Sequence, residues 1–164
     1  MKIKSLVFFL SAGVMASSAM YGSTPLTVDF SEIQPLNSVK ISTGEDGVKR
    51  LVVFWATWCG SCKEKLTATL PHWKKTRNMD IITVSIDQNP ERAKHFIDKY
   101  KINLPAFLDH KEFYQKNLKV QSVPYWAVFQ KDKVSAKWMM TDDGKGFDEK
   151  EILAKMKTGP QKVI

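Results

Sequence analysis

The feature that most constrains this chain is the tetrapeptide Cys59-Gly60-Ser61-Cys62, which holds the only two cysteines in 164 residues. The tetrapeptide directly follows an apolar run, 51–58, whose first part is predicted to be a buried strand. The residues after it show helical periodicity. A thiol at a helix start is stabilised as a thiolate by unpaired backbone N–H groups and the helix dipole. The pattern predicts thiol–disulfide exchange, with Cys59 attacking and the more buried Cys62 resolving the mixed disulfide.

Structural and metal-binding roles for this pair are less favoured. A disulfide between the two sulfurs closes so short a loop that it would remove little entropy from the unfolded chain. Metal binding normally needs two further ligands, and the three histidines, His72, His95 and His110, form no such pattern. Haem attachment would need a histidine directly after the second cysteine, where Lys63 stands. We therefore expect no metal and no cofactor.

The first nineteen residues, 1–19, are predicted to be a secretory signal peptide. Two lysines precede an apolar core of roughly a dozen residues, and small residues precede a cleavage site after Ala19. That core is shorter than the ~20 residues of a spanning helix, which makes a retained membrane anchor the less favoured alternative. Cleavage leaves one domain, 20–164, with 20–50 as an N-terminal extension and 51–164 as its core.

This leader indicates an exported protein, and the periplasm of a Gram-negative bacterium is the expected compartment. No stable membrane insertion is expected after cleavage. The formal net charge of +8 raises the question of nucleic-acid binding. The lysines are scattered, with no basic stripe and no arginine-rich segment, so we expect a cationic soluble surface and no nucleic-acid partner.

Apolar runs predict the strands of a central sheet. Three well-patterned strands, typical of strands covered on both faces, lie at 51–55, 81–86 and 125–129. Weaker patterns predict short strands at 27–30, 39–41 and 104–108. After a turn at 131–133, alternating apolar residues predict a return strand over 134–140.

Helical patterning separates these strands. The predicted helices lie at 60–77, 90–100, 110–117 and 148–157. Pro71 falls inside the first and predicts a kink, whereas Pro90 and Asp148 suit helix starts. Strand–helix units followed by a hairpin and a final helix predict an α/β fold, with a mixed sheet flanked by helices on both faces.

The segment from Phe54 to Lys63 resembles the active-site segment of the thioredoxin superfamily. Its Trp-Ala-Thr-Trp-Cys form is similar to the exported TlpA-like branch, which includes the cytochrome c maturation thioredoxins. The likeness extends through residues 84–100 and 104–109 to Val123-Pro124, and so covers the chain from about residue 51 onward. The resemblance implies a thioredoxin-like fold.

The resemblance also implies the roles of residues around the cysteines. The Val123–Pro124 bond would be cis and lie beside the disulfide, with the Val123 backbone offered to an incoming peptide. Trp58, Gly60 and Ser61 would line the same groove. The partners would be thiols or disulfides of substrate proteins, together with a redox partner that resets the cysteine pair.

Several positions depart from the family pattern. Val53 stands where many thioredoxins have a buried acid that helps proton transfer to the resolving thiol. Lys65 stands where TlpA-like reductants often have Glu, and Ser61 replaces the usual proline between the cysteines. The helix proline is displaced from position 67 to Pro71. These differences concern rate and redox poise rather than the exchange chemistry.

The compartment and the resemblance favour an exported reductant, with cytochrome c maturation as a possible setting. Within enzymes, the alternative is a disulfide-forming oxidant or isomerase. A different class is a non-catalytic thioredoxin-fold module that only docks a peptide beside Pro124, and a copper chaperone is a third possibility.

Overall fold

The computed structural model describes residues 26–31, 33–44, 47–109 and 112–157. The predicted signal peptide, 1–19, and His110 lie outside these ranges. Within the described ranges, no helix combines the length and the apolar character that crossing a membrane requires.

Among the described residues, seven strands form one mixed sheet. In chain order they are β1 (Thr27–Val28), β2 (Gln34–Pro35), β3 (Lys49–Trp55), β4 (Asp80–Ser85), β5 (Ala106–Leu108), β6 (Tyr125–Lys131) and β7 (Trp138–Lys145). Their spatial order is β1-β7-β6-β3-β4-β5-β2. The β3–β4 and β4–β5 pairs are parallel, whereas the other pairs are antiparallel. The prediction of a mixed sheet is therefore confirmed.

In the described part of the chain, five α-helices flank the sheet: α1 (Gly60–Glu64), α2 (Leu70–Arg77), α3 (Pro90–Lys99), α4 (Phe113–Asn117) and α5 (Glu149–Lys157). Asn89 accepts a hydrogen bond from the Arg92 N–H at the start of α3, and Asp148 accepts one from the Glu151 N–H at the start of α5. These side chains satisfy N–H groups that the first turn leaves unpaired. The starts predicted from Pro90 and Asp148 are confirmed.

The predicted helix over 60–77 is continuous but irregular. A π-helical segment, Lys65–Thr69, joins α1 to α2, and the Leu70 N–H donates to the Lys65 carbonyl. Pro71 follows directly, has no N–H to donate, and would clash with the carbonyl four residues back in a regular helix. The wider π turn accommodates it, so the irregularity lies in the turn before the proline.

Strand β3 is buried on both faces, which explains its continuous apolar character. Leu51, Val53 and Trp55 face a cluster that includes side chains of α2, α3 and α5. Val52 and Phe54 face the opposite cluster, which includes a side chain of α4. All five are at most 1% exposed. Helices therefore cover both faces of the sheet, as predicted.

The N-terminal extension closes both edges of the sheet, since β1 pairs with β7 and β2 pairs with β5. The Asn37 side chain donates to the Leu104 carbonyl and accepts from the Ala106 N–H. Phe30 is buried edge-on against Phe129 and Trp138, with ring centroids 5.3 and 5.7 Å apart. Residues of the extension therefore contribute to the core.

Two strand predictions differ from the structure. Residues 39–41 form no strand, because Gln34–Pro35 takes the edge position beside β5 instead. The return strand begins at Trp138 rather than at residue 134. The Asp132 carboxylate accepts hydrogen bonds from the Val134 and Ser135 N–H groups and holds a turn, which leaves Val134 95% exposed. These bonds, foremost those with Ser135, also lower the pKa of Asp132.

Other predicted elements are shorter than expected. The strands predicted at 27–30 and 104–108 cover only Thr27–Val28 and Ala106–Leu108. The helix predicted from residue 110 is described from Phe113 onward.

A glycine on β7 permits the tryptophan of β6 to lie against the strand. A Cβ built on Gly144 would approach ring atoms of the fully buried Trp126 to 2.6–2.8 Å. We expect Gly144→Ala to lower the free energy of unfolding by about 1–3 kcal/mol, because the ring is enclosed and cannot retreat.

Gly60→Ala is the matched control for that measurement. Neither glycine has a left-handed φ, and a Cβ on Gly60 would meet nothing within 4 Å. Its free energy of unfolding in denaturant titration should stay the same or rise by up to about 1 kcal/mol. Equal effects of the two substitutions would contradict the packing described here.

Candidate active site

The cysteine pair lies where β3 passes into the helix that follows it. Strand β3 ends at Trp55, and the Cys59 N–H donates to the Ala56 carbonyl at 3.1 Å, closing a turn. Cys59 is the N-cap residue of α1, with extended backbone angles. The carboxyl end of a central buried strand thus delivers this sulfur to the start of a helix.

Cys59 and Cys62 are joined by a disulfide, with their Cα atoms 5.3 Å apart. The Cys62 N–H points at the Cys59 sulfur, at 3.2 Å, as in a side-chain N-cap. This N–H is one of the donors that a helix start leaves unpaired, and it favours negative charge on the sulfur. Cys59 is 7% exposed and Cys62 only 1%, so an incoming sulfur can reach Cys59 more readily.

Two oxygen atoms border the Cys59 sulfur. The Ser61 hydroxyl and the Val123 carbonyl each lie 3.6 Å from it. The Val123–Pro124 peptide bond is cis, as the resemblance implied, and both residues are half-buried. The structure therefore brings Ser61 and Val123 against the Cys59 sulfur.

Trp58 and Gly60 flank Cys59 along the chain. Trp58 is 63% exposed, an unusual position for a large aromatic side chain beside an otherwise buried segment. Gly60 is exposed and faces open space. An apolar ring and an open approach thus adjoin the disulfide.

Tyr125, directly after Pro124, anchors the start of β6. Its buried phenol donates a hydrogen bond to the Asp143 carboxylate on β7. Burial, and then this hydrogen bond, raise the pKa of Tyr125 well above its ordinary value. The phenol therefore remains a neutral donor, and the strand that carries Pro124 is tied to its neighbour.

A hydrogen-bonded carboxylate that the sequence did not single out supports the turn before Cys59. Asp87, two residues after β4 and 9% exposed, accepts hydrogen bonds from the Thr57 N–H at 2.9 Å and the Thr57 hydroxyl at 2.8 Å. The Ser85 hydroxyl donates to the same carboxylate at 2.7 Å. The sequence around Asp87 indicates only a turn before the helix that starts at Pro90. The fold pattern carries a signal for this contact. The carboxyl ends of adjacent parallel strands meet at one edge of the sheet, so a polar residue just after β4 lies near the turn after β3.

The positions that depart from the family pattern hold no free acid. Val53 is 1% exposed and is paired with Trp126 and Thr83 on the neighbouring strands. The Lys65 ammonium lies 3.4 Å from a carboxylate oxygen of Glu149 and 5.3 Å from the centre of the Phe147 ring. This cation is therefore held against the start of α5.

Metal ligands are not grouped in the described part of the chain, where no three His, Cys, Asp or Glu side chains are placed to hold an ion. His72 and His95 are exposed on α2 and α3.

The family model described as Redoxin matches residues 23–155. The chain belongs to the Redoxin family. It is 26% identical over 114 residues to the thiol–disulfide oxidoreductase ResA of Oceanobacillus iheyensis, a match that covers 63% of this chain and 57% of that protein. It is 27% identical over 89 residues to the sporulation thiol–disulfide oxidoreductase A of Bacillus subtilis, covering 51% and 54%. The matches thus span only about half the length of these curated relatives.

Solved structures confirm the thioredoxin-like fold. StoA of Bacillus subtilis superposes with a TM-score of 0.60 at 20% identity, covering 82% of this chain and 98% of that one. The exposed lipoprotein thioredoxin of Streptococcus pneumoniae gives a TM-score of 0.57 at 22% identity, with the same coverage. The family match and the two thiol–disulfide oxidoreductase relatives confirm the prediction of a TlpA-like member of the thioredoxin superfamily.

Ser61 offers a direct test of the geometry around the sulfur. In the reduced protein its hydroxyl can donate to a Cys59 thiolate, so Ser61→Ala should slow alkylation of Cys59 by iodoacetamide about two- to fivefold near neutral pH. The rate is measured in a Cys62→Ser background so that one thiol reports. Thr67→Ala is the matched control, because the Thr67 hydroxyl donates to the Lys63 carbonyl instead. Equal rates in the two variants would contradict a role for the Ser61 hydroxyl.

Proposed function

We propose that this protein is an exported thiol–disulfide oxidoreductase that reduces disulfides of substrate proteins through Cys59 and Cys62. One observation carries the proposal. The Cys59 sulfur caps a helix, 3.2 Å from the Cys62 N–H, while Cys62 lies behind it almost fully buried. This arrangement stabilises a thiolate on the accessible sulfur and keeps the second sulfur within bonding distance.

The reaction begins with both cysteines reduced. The Cys59 thiolate attacks one sulfur of a substrate disulfide, forms a mixed disulfide, and releases the other substrate sulfur as a thiolate. The Cys62 thiol then loses its proton and attacks the Cys59 sulfur, which releases the second substrate thiolate. Two electrons have passed to the substrate, and the Cys59–Cys62 disulfide seen in the structure is the product.

The surface around the disulfide suits an extended peptide. The Val123 carbonyl lies beside the Cys59 sulfur, where it can accept a hydrogen bond from a substrate backbone N–H. Trp58 presents an exposed apolar ring next to it. In this proposal Val123, Pro124, Trp58, Gly60 and Ser61 bind substrate, and a separate redox partner reduces the disulfide after each turnover.

The proposed setting rests on the sequence. The leader pattern of residues 1–19 supports export, and the periplasm of a Gram-negative bacterium is the proposed compartment. Cytochrome c maturation is the proposed context, because that process needs selected cysteines kept reduced. The leader and the family resemblance support these finer assignments.

A disulfide-forming oxidant is the second candidate, and one observation favours it. Val53 and Lys65 stand where reductants of the resembled family carry acids, so no carboxylate at these two positions opposes a thiolate. Without such a carboxylate the thiolate is favoured, and a stabilised reduced form makes a stronger oxidant. The reduction potential of the pair decides between the two directions.

Trapping of substrates tests the exchange mechanism. Cys62→Ser removes the resolving sulfur, so mixed disulfides with substrate proteins should accumulate on Cys59. They are detected as adducts that disappear on reduction in non-reducing gels of cells exporting the variant. The double substitution Cys59→Ser, Cys62→Ser is the control and should give none. A Cys62→Ser protein that is exported and folded but forms no adducts would refute the mechanism, and the peptide-binding alternative would replace it.

A further inference from the structure

Within the described residues, the buried carboxylate of Asp87 accepts hydrogen bonds from neutral donors. Three donors converge on it: the backbone N–H and hydroxyl of Thr57, and the hydroxyl of Ser85. The Ser85 oxygen in turn accepts from the Asp87 N–H at 3.1 Å, so its proton is available to the carboxylate. An ionised carboxylate accepts all three bonds without conflict.

These bonds end on the turn that carries the reactive sulfur. Thr57 lies two residues before Cys59, inside the turn closed by the Cys59 N–H and the Ala56 carbonyl. The Ile86 N–H also donates to the Trp55 carbonyl, at 2.9 Å. The end of β4 is therefore tied to the strand-to-helix turn at several points, and Asp87 provides the only side-chain charge among these ties.

Other charged groups share the shallow depression that Asp87 borders. They are Asp109, Glu112 and Lys116. Lys116 pairs with Glu112 at 3.2 Å, and Asp109 accepts hydrogen bonds from the Tyr114 and Gln115 N–H groups of α4. Within the described residues, no cation forms an ion pair with Asp87. Its charge therefore acts on the nearby turn without a direct counterion.

We propose that Asp87 is a positioning residue that sets the redox poise of the cysteine pair through Thr57. It fixes the turn on which Cys59 sits, and its negative charge opposes the thiolate that the helix start favours. The cysteine pair is thereby made more reducing. Positions 53 and 65 cannot supply this charge, because they hold Val53 and Lys65 rather than acids. This inference rests on the proposed function and adds the residue that tunes it.

Neutralising the carboxylate tests this role. Asp87→Asn keeps the shape of the side chain, and its amide oxygen can still accept from the Thr57 N–H. Because a negative charge near the thiolate is lost, the equilibrium constant for reduction of the pair by glutathione should rise about three- to tenfold. A tenfold change corresponds to about 30 mV in reduction potential. The pH dependence of Cys59 alkylation should shift toward lower pH.

Asp109→Asn is the matched control. Asp109 is also nearly buried, but it follows β5, one strand or about 4.8 Å farther from β3, and its bonds go to α4. Its glutathione equilibrium should stay within about twofold of the wild-type value. Thr57→Val is a second variant. It keeps the negative charge of Asp87 but removes the Thr57 hydroxyl, whose hydrogen bond disperses that charge. The equilibrium constant for reduction of the pair by glutathione should therefore fall.

The outcomes separate the two proposals. Asp87→Asn protein that is less stable yet has the wild-type equilibrium and alkylation profile would show a structural role only and overturn this inference. An Asp87→Asn shift matched by Asp109→Asn would also overturn it. If Asp87→Asn does not fold, Thr57→Val decides instead: an unchanged equilibrium constant with glutathione would overturn this inference. A wild-type pair that never exchanges with glutathione would instead refute the proposed function, and this role with it.

Discussion

The site depends on one constraint, the burial of β3 on both faces. Side chains of this strand contact the two core clusters alternately, so the strand can neither slide nor rotate without exposing apolar surface. The turn that follows is therefore fixed relative to β4 and β6. Cys59 follows β3 and lies at the helix start. The Val123 carbonyl lies against Cys59, and Asp87 bonds to Thr57, because β6 and β4 are the two neighbours of β3.

The chemistry follows from an asymmetry between two sulfurs three residues apart. The helix start supplies an N–H to Cys59, whereas Cys62 is only 1% exposed, compared with 7% for Cys59. One sulfur is accessible and favoured as a thiolate, and the other is close but enclosed. In the proposed mechanism, Ser61 and Asp87 modify this bias, and so affect rate and redox poise rather than the kind of reaction.

The sequence predicted the central strands and the reactive pair because their signals are local. The apolar run before Cys59 and the two cysteines need no distant partner to be recognised. Asp87 was missed because its hydrogen bonds join residues thirty positions apart. The strand predicted at 39–41 was wrong for a similar reason, since edge pairing of Gln34–Pro35 with β5 depends on tertiary contacts. The cis bond at Pro124 was implied by the family resemblance and not by the residues themselves.

The most direct test of the central claim is the reduction potential of the Cys59–Cys62 pair in the wild-type protein, measured by equilibration with glutathione or dithiothreitol. A reductant with the proposed mechanism should have a potential near −270 mV, about that of thioredoxin. A value near −120 mV, about that of a strong oxidant, would reverse the proposed direction of electron flow. A pair that forms no reversible disulfide would contradict thiol–disulfide exchange altogether.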